Sequence, residues 1–276
     1  MKDVKAKVID HVTIAKMYRI LSFQSPPIAR VAEPGQFIFL RVPELESVVL
    51  RRPFSIFDVK SNNVSILYKI VGKGTKAMDK IRQGEEIDVM GPLGNAFPKP
   101  SKDVFPLLVA GGYGIAPLHF LARRVPQRGI CFMGAGSKDE ILCANTFRKM
   151  GWKVIITTED GSSGQKGRVT DALKDWLESY KTESANSPGK TQQKIEIYAC
   201  GPEGMLYVIA ELANRYMCRA WVSMEAHMGC GVGACLGCVH KLRLENGSTG
   251  WVRICHDGPV FESSRLITNT PAEGRT

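Results

Sequence analysis

Four cysteines near the C-terminus constrain this chain more than any other feature. They follow the order C-x4-C-x2-C with a fourth thiol after a sixteen-residue return, at Cys230, Cys235, Cys238 and Cys255. Glycines alternate with the first three, and glycine takes positive φ without a Cβ penalty, so this segment can curl tightly. A curled loop can turn thiolates and backbone N–H groups toward one point, where the N–H dipoles offset thiolate repulsion. The order is the plant-type [2Fe–2S] spacing, and we predict such a cluster here.

Three other uses of these cysteines stay open at this point. A structural zinc site usually takes its cysteines in C-x2-4-C pairs, whereas the fourth thiol here stands alone. A disulfide framework needs an oxidising compartment. The N-terminus lacks the apolar stretch of a secretion signal, so we expect a cytoplasmic protein. Unliganded structural thiols are the third use, and small buried positions suit most of the remaining cysteines, Cys131, Cys143, Cys200 and Cys218.

Length and composition indicate an ordinary globular protein. With 276 residues the chain has room for two domains and a small third. No apolar run approaches the roughly 20 residues of a membrane span, so we expect no membrane insertion. The net charge of +10 comes from dispersed basic residues that occur only in short pairs such as Arg51-Arg52. This dispersion suits a solvated surface, or a basic face toward anionic cofactors and a partner, and we expect no nucleic-acid binding.

Residues 1–98 predict an antiparallel six-stranded β-barrel. Short alternating or apolar runs are separated by clusters of Gly, Pro, Asn and Ser, which is the pattern of strands and turns. Six short strands at this spacing are typical of a small barrel. The strands are expected at about 4–9, 18–23, 36–42, 54–59, 64–71 and 86–90, with one helix at about 75–82.

Residues 99–221 predict a doubly wound parallel sheet, because apolar strands here alternate with helices and glycine turns. The run Val104–Ala110 is apolar throughout, as expected of a strand buried on both faces. The polar stretch 182–193 predicts a surface loop. Residues 222–276 are then a small C-terminal [2Fe–2S] subdomain with strands near 239–244 and 249–254. Further strands are expected at 129–133, 153–157 and 194–199, and helices at 115–124, 142–150, 167–180 and 202–217.

Two short motifs in the predicted barrel suit a phosphate-bearing cofactor. Arg52-Pro53-Phe54-Ser55 begins a strand, and the planar Arg fork and the Ser hydroxyl can hold a pyrophosphate. Leu67-Tyr68-Lys69 precedes Gly72-Lys73-Gly74-Thr75, which opens a helix. Backbone N–H groups at a helix N-terminus receive phosphate oxygens, and a neighbouring aromatic ring can stack on an isoalloxazine or adenine. Taken alone, the first motif is equally compatible with a solvated strand edge.

Two glycine turns in the second domain indicate a dinucleotide site. Gly111-Gly112-Tyr113-Gly114 lies between a strand and a helix, and so does Cys200-Gly201-Pro202. Pro202 suits the first helical position, where its missing N–H costs nothing. Glycine turns at the carboxyl ends of parallel strands are where an α/β sheet places a dinucleotide. Each turn by itself is also a common structural connector.

Together these motifs resemble the ferredoxin–NADP reductase superfamily: R-P-x-S, Y-x-x-x-G-x-G-T, G-G-x-G-I-x-P and C-G-P. The cysteine motif, with Cys255-His256-Asp257-Gly258-Pro259-Val260-Phe261, narrows the resemblance. The chain is similar, nearly end to end, to the FAD and iron–sulfur electron-transfer subunits of class 1B, NAD-dependent dihydroorotate dehydrogenases. The cysteine motif is the most specific part of this match.

The resemblance implies particular cofactors and a partner. It implies that the four cysteines hold the [2Fe–2S] cluster and that Gly111, Gly112, Gly114, Cys200, Gly201 and Pro202 adjoin NAD(H). It also implies an FMN-containing dihydroorotate dehydrogenase catalytic subunit as partner, in a heterotetramer of two copies of each chain. Lys69 stands where many relatives have Arg, which keeps the charge but not a bidentate grip on phosphate. The implied FAD-binding residues are Arg52, Pro53, Phe54, Ser55, Leu67, Tyr68, Lys69, Gly74 and Thr75.

The expected function is electron transfer between the partner's flavin and NAD+, through [2Fe–2S] and FAD, in pyrimidine biosynthesis. A flavin exchanges electrons singly or in pairs, so it belongs between a one-electron cluster and a hydride acceptor. We therefore expect no acid–base catalytic residue for a carbon substrate. His227, His240 and His256 flank the cluster segment, either as surface residues or as hydrogen-bond donors near it. The alternatives are a reductase subunit serving a hydrogenase or ferredoxin-linked transhydrogenase, and a non-catalytic zinc-stabilised regulatory module.

The choice of nicotinamide is predicted from the end of a parallel strand. Glu159-Asp160-Gly161-Ser162 is acidic and hydroxylic where recognition of a 2′-phosphate needs a cation. NAD(H) is therefore expected over NADP(H), although Lys166 and Arg168 lie close in sequence.

Overall fold

The computed structural model describes residues 1–42, 50–185 and 193–267. Within these ranges, no helix is both long and apolar enough to cross a membrane.

Six strands close into an antiparallel barrel within the described N-terminal region, in the order β1-β2-β5-β4-β3-β6. This confirms the predicted six-stranded barrel. The helix after β5 ends earlier than the sequence predicts, because the N–H groups of Lys80 and Ile81 bond to carbonyls only three residues back. The elements are β1 (Lys2–Ala15), β2 (Tyr18–Gln24), α1 (Pro26–Ala29), β3 (Phe37–Leu40), β4 (Arg52–Lys60), β5 (Asn63–Lys69), α2 (Lys73–Met78) and β6 (Glu86–Leu93).

A mainly parallel sheet with helices between its strands follows, which confirms the predicted doubly wound fold. Helix α5 continues past the predicted start of the polar loop, and residues 186–192 of that loop lie outside the described ranges. The elements are β7 (Val104–Gly111), α3 (Ile115–Arg124), β8 (Ile130–Ala135), α4 (Ala144–Lys149), β9 (Lys153–Thr158), β10 (Gln165–Lys166), α5 (Val169–Ala185), β11 (Lys194–Cys200), α6 (Glu203–Arg215) and β12 (Arg219–Ser223).

The cysteine-containing segment is tied into this sheet. The two predicted strands are present as β13 (Val239–Arg243) and β14 (Thr249–Arg253); they pair antiparallel, and α7 (Ile254–Asp257) follows. The chain then adds β15 (Val260–Glu262), which pairs antiparallel with β12. The C-terminal subdomain therefore shares backbone hydrogen bonds with the parallel sheet. Among the described residues the sheet order is β10-β9-β8-β7-β11-β12-β15.

The strand order determines where a ligand can bind. Strands β8 to β10 lie on one side of β7, whereas β11 and β12 lie on the other. The crevice between β7 and β11 is thus the topological switch point of the sheet, where α/β folds bind ligands at the strands' carboxyl ends. Ala110 pairs with Cys200 there, so both predicted glycine turns emerge side by side.

Candidate functional site

A cleft of about 220 Å³ separates the barrel from the switch point of the sheet. The barrel contributes the ends of β4 and β5 and the start of α2. The opposite wall carries Tyr113, Cys200 and the segment that follows β12. The structure thus brings the predicted FAD and nicotinamide motifs to one cavity. The predicted site residues that line it are Pro53, Phe54, Ser55, Leu67, Tyr68, Lys69, Thr75 and Cys200.

Arg52 lies beside the cleft against the glycine turn that begins α2. A methyl group at Gly74 would lie 3.1 Å from Nε of Arg52, so the absence of a Cβ leaves room for the guanidinium. Thr75 stabilises the same turn, because its Oγ1 accepts the N–H groups of Val71 at 2.9 Å and Gly72 at 3.1 Å. The guanidinium group of Arg52 therefore lies next to a glycine-rich turn. Together, the guanidinium and the backbone N–H groups of the turn provide hydrogen-bond donors suited to a pyrophosphate.

The alternation of side chains along β5 turns the ring of Tyr68 toward the barrel core, so the ring is not free to stack on a bound cofactor. Tyr68 packs in the barrel core, and its hydroxyl is hydrogen-bonded to Nε2 of His11 at 2.9 Å. Burial raises the pKa of Tyr68 far above its usual value. Phe54, half-buried on β4, lies 5.8 Å from the Tyr68 ring. Since the Tyr68 ring points into the barrel, Phe54 is the aromatic side chain better placed to meet a ring bound in the cleft.

Lys69 lines the cleft and also contacts the second domain. Its ammonium group pairs with Glu140, in the turn after β8, and lies 5.3 Å from the centre of the Tyr18 ring. The Tyr18 hydroxyl also donates to Glu140, at 3.1 Å. The hydrogen bond from Lys69 lowers the pKa of Glu140, and the same bond raises the pKa of Lys69. Lys69 thus contacts the second domain as well as the cleft, a contact that its sequence motif does not reveal.

The two glycine turns pack directly on each other. A methyl group at Gly114 would lie 2.2 Å from the Cys200 carbonyl oxygen, and one at Gly111 would lie 2.6 Å from Cδ of Pro202. A methyl group at Gly201 would in turn lie 2.9 Å from the Gly111 nitrogen. Only glycine allows this approach, because any side chain at these positions would clash with the facing turn. Gly112, at φ +54°, has open space where its side chain would be.

Glu225 is a cleft residue that the sequence analysis missed. It follows β12, whose five residues give no clear strand pattern, and its Oε2 accepts the Tyr113 hydroxyl at 3.3 Å. Although the residue is open to the cleft, surrounding groups withdraw its carboxyl from bulk water, and this burial raises its pKa. The Glu225 charge in turn raises the pKa of Tyr113 to about 12. A carboxyl group of this kind keeps a proton at higher pH than a free one does.

The cysteine loop surrounds its sulfurs with backbone N–H groups. Sγ of Cys230 accepts the N–H groups of Val232 at 3.5 Å and Cys235 at 3.4 Å. Each of the other three sulfurs accepts one: Cys235 from Gly237 at 3.5 Å, Cys238 from Cys255 at 3.4 Å, and Cys255 from Gly233 at 3.2 Å. These donors stabilise thiolates, the form that binds iron.

The thiols form two neighbouring pairs that differ in exposure. Cys230 and Cys235 hydrogen-bond each other near the surface, whereas Cys238 and Cys255 do so in the interior. Burial alone would raise the pKa of Cys230, but the N–H groups of Val232 and Cys235 outweigh burial and lower it to about 6. Burial raises the pKa of Cys255 to about 12.

Two pairs of thiols suit a two-iron cluster. Over the described ranges, no three His, Cys, Asp or Glu side chains are grouped as ligands of a single metal ion. A [2Fe–2S] cluster would take all four thiolates as ligands, and two pairs of thiols suit its two irons. The donor chemistry and the N–H groups around the sulfurs therefore fit such a cluster.

The nearby histidines contact other groups. Nε2 of His240 is hydrogen-bonded to the Tyr207 hydroxyl at 3.2 Å, and Nδ1 of His256 to the Asp257 carboxylate at 2.8 Å. His227 is exposed. His256 and Asp257 lie against Arg253, whose Nη1 donates to the Gly233 carbonyl at 3.5 Å. This group supports the cysteine loop from the α7 side.

Comparison with known proteins agrees with the three parts of the site. Residues 225–267 match the iron–sulfur cluster binding domain of dihydroorotate dehydrogenase B. Residues 108–211 match an oxidoreductase NAD-binding domain, and residues 5–97 an oxidoreductase FAD-binding domain. The match over the cysteines decides against the zinc-stabilised module.

Curated relatives match over nearly the whole chain. The "dihydroorotate dehydrogenase B (NAD(+)), electron transfer subunit" of Fusobacterium nucleatum is 38% identical, over 96% of this chain and 98% of that protein. The protein of the same description in Desulforamulus reducens is 36% identical with the same coverage. Among solved structures, a chain of the NADH-dependent reduced ferredoxin–NADP oxidoreductase superposes with a TM-score of 0.78, 28% identity and coverage of 95% and 89%. A cytochrome P450 reductase from Amycolatopsis shares the fold with a TM-score of 0.62 over 78% of this chain and 66% of its own, at 21% identity.

The fold and the cleft define a flavin- and nicotinamide-dependent oxidoreductase subunit with an iron–sulfur domain. Within that class, the chain belongs to the family of dihydroorotate dehydrogenase B electron transfer subunits.

Proposed function

We propose that this chain accepts electrons from an FMN-containing catalytic subunit that oxidises dihydroorotate, and delivers them to NAD+. The assembly is a heterotetramer with two copies of each chain. Bound in their sites, the nicotinamide exchanges a hydride, the [2Fe–2S] cluster exchanges single electrons, and FAD does both. The protein's own contribution is to hold these groups in order and at fixed spacing.

One observation carries the proposal: a single segment lines the cleft and then becomes the cysteine loop. Met224, Glu225, Ala226 and Met228 all line the cleft. Cys230 follows two residues later. The candidate flavin and nicotinamide residues and the cluster ligands are therefore adjacent, as an electron-transfer chain requires.

The cleft residues receive separate roles in this proposal. Arg52 and Ser55 bind the FAD pyrophosphate, together with the backbone at Gly74 and Thr75, and Pro53, Phe54, Leu67, Tyr68 and Lys69 form the surrounding wall. The glycine turns at 111–114 and 200–202 receive the nicotinamide nucleotide at the switch point. Glu225 holds a proton at Oε2 or accepts the Tyr113 hydroxyl there, and so controls the charge of the cleft.

The acidic turn after β9 supports NAD(H) as the nucleotide. Asp160 accepts both the N–H and the hydroxyl of Ser162, at 2.9 and 2.6 Å, and these bonds lower its pKa. The turn is thereby held as an anion, with Glu159 exposed beside it. Negative charge here disfavours a 2′-phosphate and suits a ribose hydroxyl.

The partner would dock on the face that carries the cysteine loop. Val232, Leu236, Val239 and Trp251 are exposed there by 37%, 59%, 40% and 70%. Leu236 also has φ +56°, an uncommon value for a branched side chain. Exposed apolar side chains around a cluster loop are suited to an intersubunit contact.

The proposed domains are 1–98 for FAD, 99–221 for NAD and 222–276 for the cluster, and the ranges of the three family matches support this division. All eight cysteines fall within the described ranges and are free thiols. Free thiols suit a reducing compartment, which supports a cytoplasmic location.

The test is a reconstituted coupled reaction. Combined with an FMN-containing dihydroorotate-oxidising subunit, the chain should link dihydroorotate to NAD+. Cys238→Ser should abolish this coupled reaction but leave NADH oxidation by an artificial dye intact, since the dye reaction needs only the cleft. Cys218→Ser, a half-buried thiol outside the loop, is the matched control and should keep both activities.

Coupling at the native rate by a cluster-free Cys238→Ser protein would overturn the proposed route. Because the structural match includes a ferredoxin-linked oxidoreductase, reduced ferredoxin is added as a second donor. Reduction of NAD+ by ferredoxin, without coupling to dihydroorotate, would favour the transhydrogenase alternative.

A further inference from the structure

Strand β3 is a wall shared by the barrel and the cluster subdomain. Ile38 and Leu40 point into the barrel core, whereas Phe37 and Phe39 point outward, in keeping with the alternation of a strand. The outward pair packs in the same apolar cluster as Cys238 and Cys255. The side chains of a single short strand thus reach both the barrel core and the core around two of the four thiols.

Phe39 touches the cysteine loop itself. A methyl group at Gly231 would lie 2.9 Å from Cε2 and 3.0 Å from Cδ2 of the Phe39 ring. Gly231 also has φ +72°, so both its conformation and its contact require glycine. Phe39 is only 1% exposed. The Phe39 ring therefore packs closely against the cysteine loop at Gly231, the residue next to Cys230.

Phe37 continues this contact to the cofactor cleft. It is one of the residues that line the cleft, and its ring centre lies 6.0 Å from that of Phe39, tilted by 56°. Cleft, Phe37, Phe39 and Gly231 consequently form one unbroken line of packed groups between the two predicted cofactor sites.

A second anchor joins the barrel to the far side of the cysteine loop. Asn95, just after β6, donates its backbone N–H to the Gly258 carbonyl at 2.7 Å and its Nδ2 to the Asp257 carbonyl at 2.9 Å. A methyl group at Gly94 would lie 2.5 Å from Cδ of Pro259. These contacts hold the α7 segment, which carries Cys255, against the barrel. The loop is thus held at both ends of its cysteine set.

We propose that Phe39 is a positioning residue that sets the distance between the flavin cleft and the cluster, with Asn95 as the second anchor. The inference rests on the proposed FAD and cluster sites. It assigns Phe39 no contact with a cofactor: its ring acts through Gly231, by preventing the loop from moving away from the barrel. Interior packing is dense enough that loss of such a ring leaves a gap or lets the loop move.

The experiment compares Phe39→Ala with Leu40→Ala in the holoprotein. Leu40 is the matched control, because it is buried on the same strand but faces the barrel core. Each protein is mixed rapidly with NADH, and bleaching of the iron–sulfur absorbance is followed. Steady-state NADH–dye reduction, iron content, the reduced-cluster EPR spectrum and the rate of iron loss to a chelator are measured in parallel.

Phe39→Ala should keep NADH–dye reduction and its iron at the start, yet lose iron to the chelator faster. We expect cluster reduction to slow severalfold, because the rate of single-electron transfer falls steeply as the distance between donor and acceptor grows. Leu40→Ala should reduce its cluster at the wild-type rate. Phe39→Leu, which refills most of the space, should restore most of the rate, and Asn95→Ala should slow it.

Wild-type cluster reduction in both Phe39→Ala and Asn95→Ala would overturn the inference, and so would equal slowing in Leu40→Ala. If Phe39→Ala loses its cluster on purification, Asn95→Ala decides, and a wild-type rate of cluster reduction in that variant would overturn the inference. A wild-type protein whose cluster NADH fails to reduce would instead overturn the proposed function.

Discussion

Cys235 is the exposed member of the four thiols, whereas Cys238 and Cys255 are buried. The exposed thiol has water on one side, so its loss disturbs the surrounding packing least. Its sulfur also accepts the backbone N–H of Gly237, so a hydrogen bond within the loop holds the side chain. Cys235 is therefore the position at which removal of a cluster ligand can be tested with the least effect on folding.

We expect Cys235→Ser to lose the iron–sulfur absorbance while keeping about one FAD per chain, because the FAD-binding residues lie in the barrel. The visible spectrum, together with iron and flavin assays, measures this. Cys218→Ser should keep both chromophores. A full complement of iron in Cys235→Ser would falsify the ligand assignment.

Nucleotide choice is a second residue-scale matter. The wild-type protein should reduce a dye with a higher kcat/KM for NADH than for NADPH, since Glu159 and Asp160 put negative charge where a 2′-phosphate would lie. Glu159→Arg should raise kcat/KM for NADPH and lower it for NADH. Equal values for the two nucleotides in the wild type would contradict the prediction.

Among the structural elements, β2, β5 and the turn after β8 are joined by Tyr18, Lys69 and Glu140. Tyr18 and Lys69 are register partners on β2 and β5, which places the ammonium group over the ring. Glu140 reaches them from the other domain. The contact therefore joins the barrel to the second domain through the cleft residue Lys69.

The Glu140 contact should make stability depend on pH. The pKa of Glu140 is lowered by the hydrogen bond from Lys69. The contribution of Glu140 to the free energy of unfolding is therefore fully present above the unfolded-state pKa of about 4.3. It is lost as pH falls through the lower pKa of the folded state. The same bond raises the pKa of Lys69. The contribution of Lys69 to stability is therefore lost only at alkaline pH, as pH rises through its folded-state pKa.

Glu140→Gln should accordingly lower the Tm at neutral pH, by about 2 °C for a loss of about 1 kcal/mol. The difference from wild type should shrink as pH falls below about 4, where the unfolded carboxyl takes up a proton before the native one does, and should vanish once the native carboxylate is protonated at still lower pH. Thermal melts of the holoprotein across this range are the measurement. Asp139→Asn, the exposed neighbour, should leave the Tm unchanged, and a pH-independent deficit in Glu140→Gln would exclude the charge argument.

Across the whole molecule, the three units are held together by several contacts. Strand β15 extends the parallel sheet, and Asn95 ties the α7 segment to the barrel. His119 on α3 stacks on Phe57 of β4, with ring centres 4.1 Å apart, and its Nδ1 donates to the Phe57 carbonyl. With the cofactor sites held in this way, electron delivery depends on how the partner approaches the exposed face of the cysteine loop.

Trp251→Ala should weaken association with the FMN-containing subunit by about tenfold or more, since exposed tryptophans commonly dominate interface energies. A bulky substitution at Leu236 should have the same direction of effect. NADH–dye reduction should not change in Trp251→Ala. Val31→Ser removes an exposed apolar side chain from the barrel, and titration calorimetry should show native affinity for that variant. Native affinity in both Trp251→Ala and the Leu236 variant would remove the cysteine face from the interface.

The cofactor classes and the fold could be predicted from sequence because their signals are local. Cysteine spacing, glycine turns and strand alternation each depend on a few neighbouring residues, and backbone geometry restricts what such patterns can form. For the same reason the six-stranded barrel, the parallel sheet and the four clustered cysteines were all predictable.

Tertiary structure alone decided which distant residues meet. Glu225 against Tyr113, Glu140 against Lys69, and Phe39 against Gly231 are contacts between segments far apart in sequence. The attachment of the C-terminal segment through β15 is of the same kind. These contacts arise from the packing of complete elements and leave no periodic trace in any one segment. The sequence thus determined which groups this protein can bind, and the packing determined how close together it holds them.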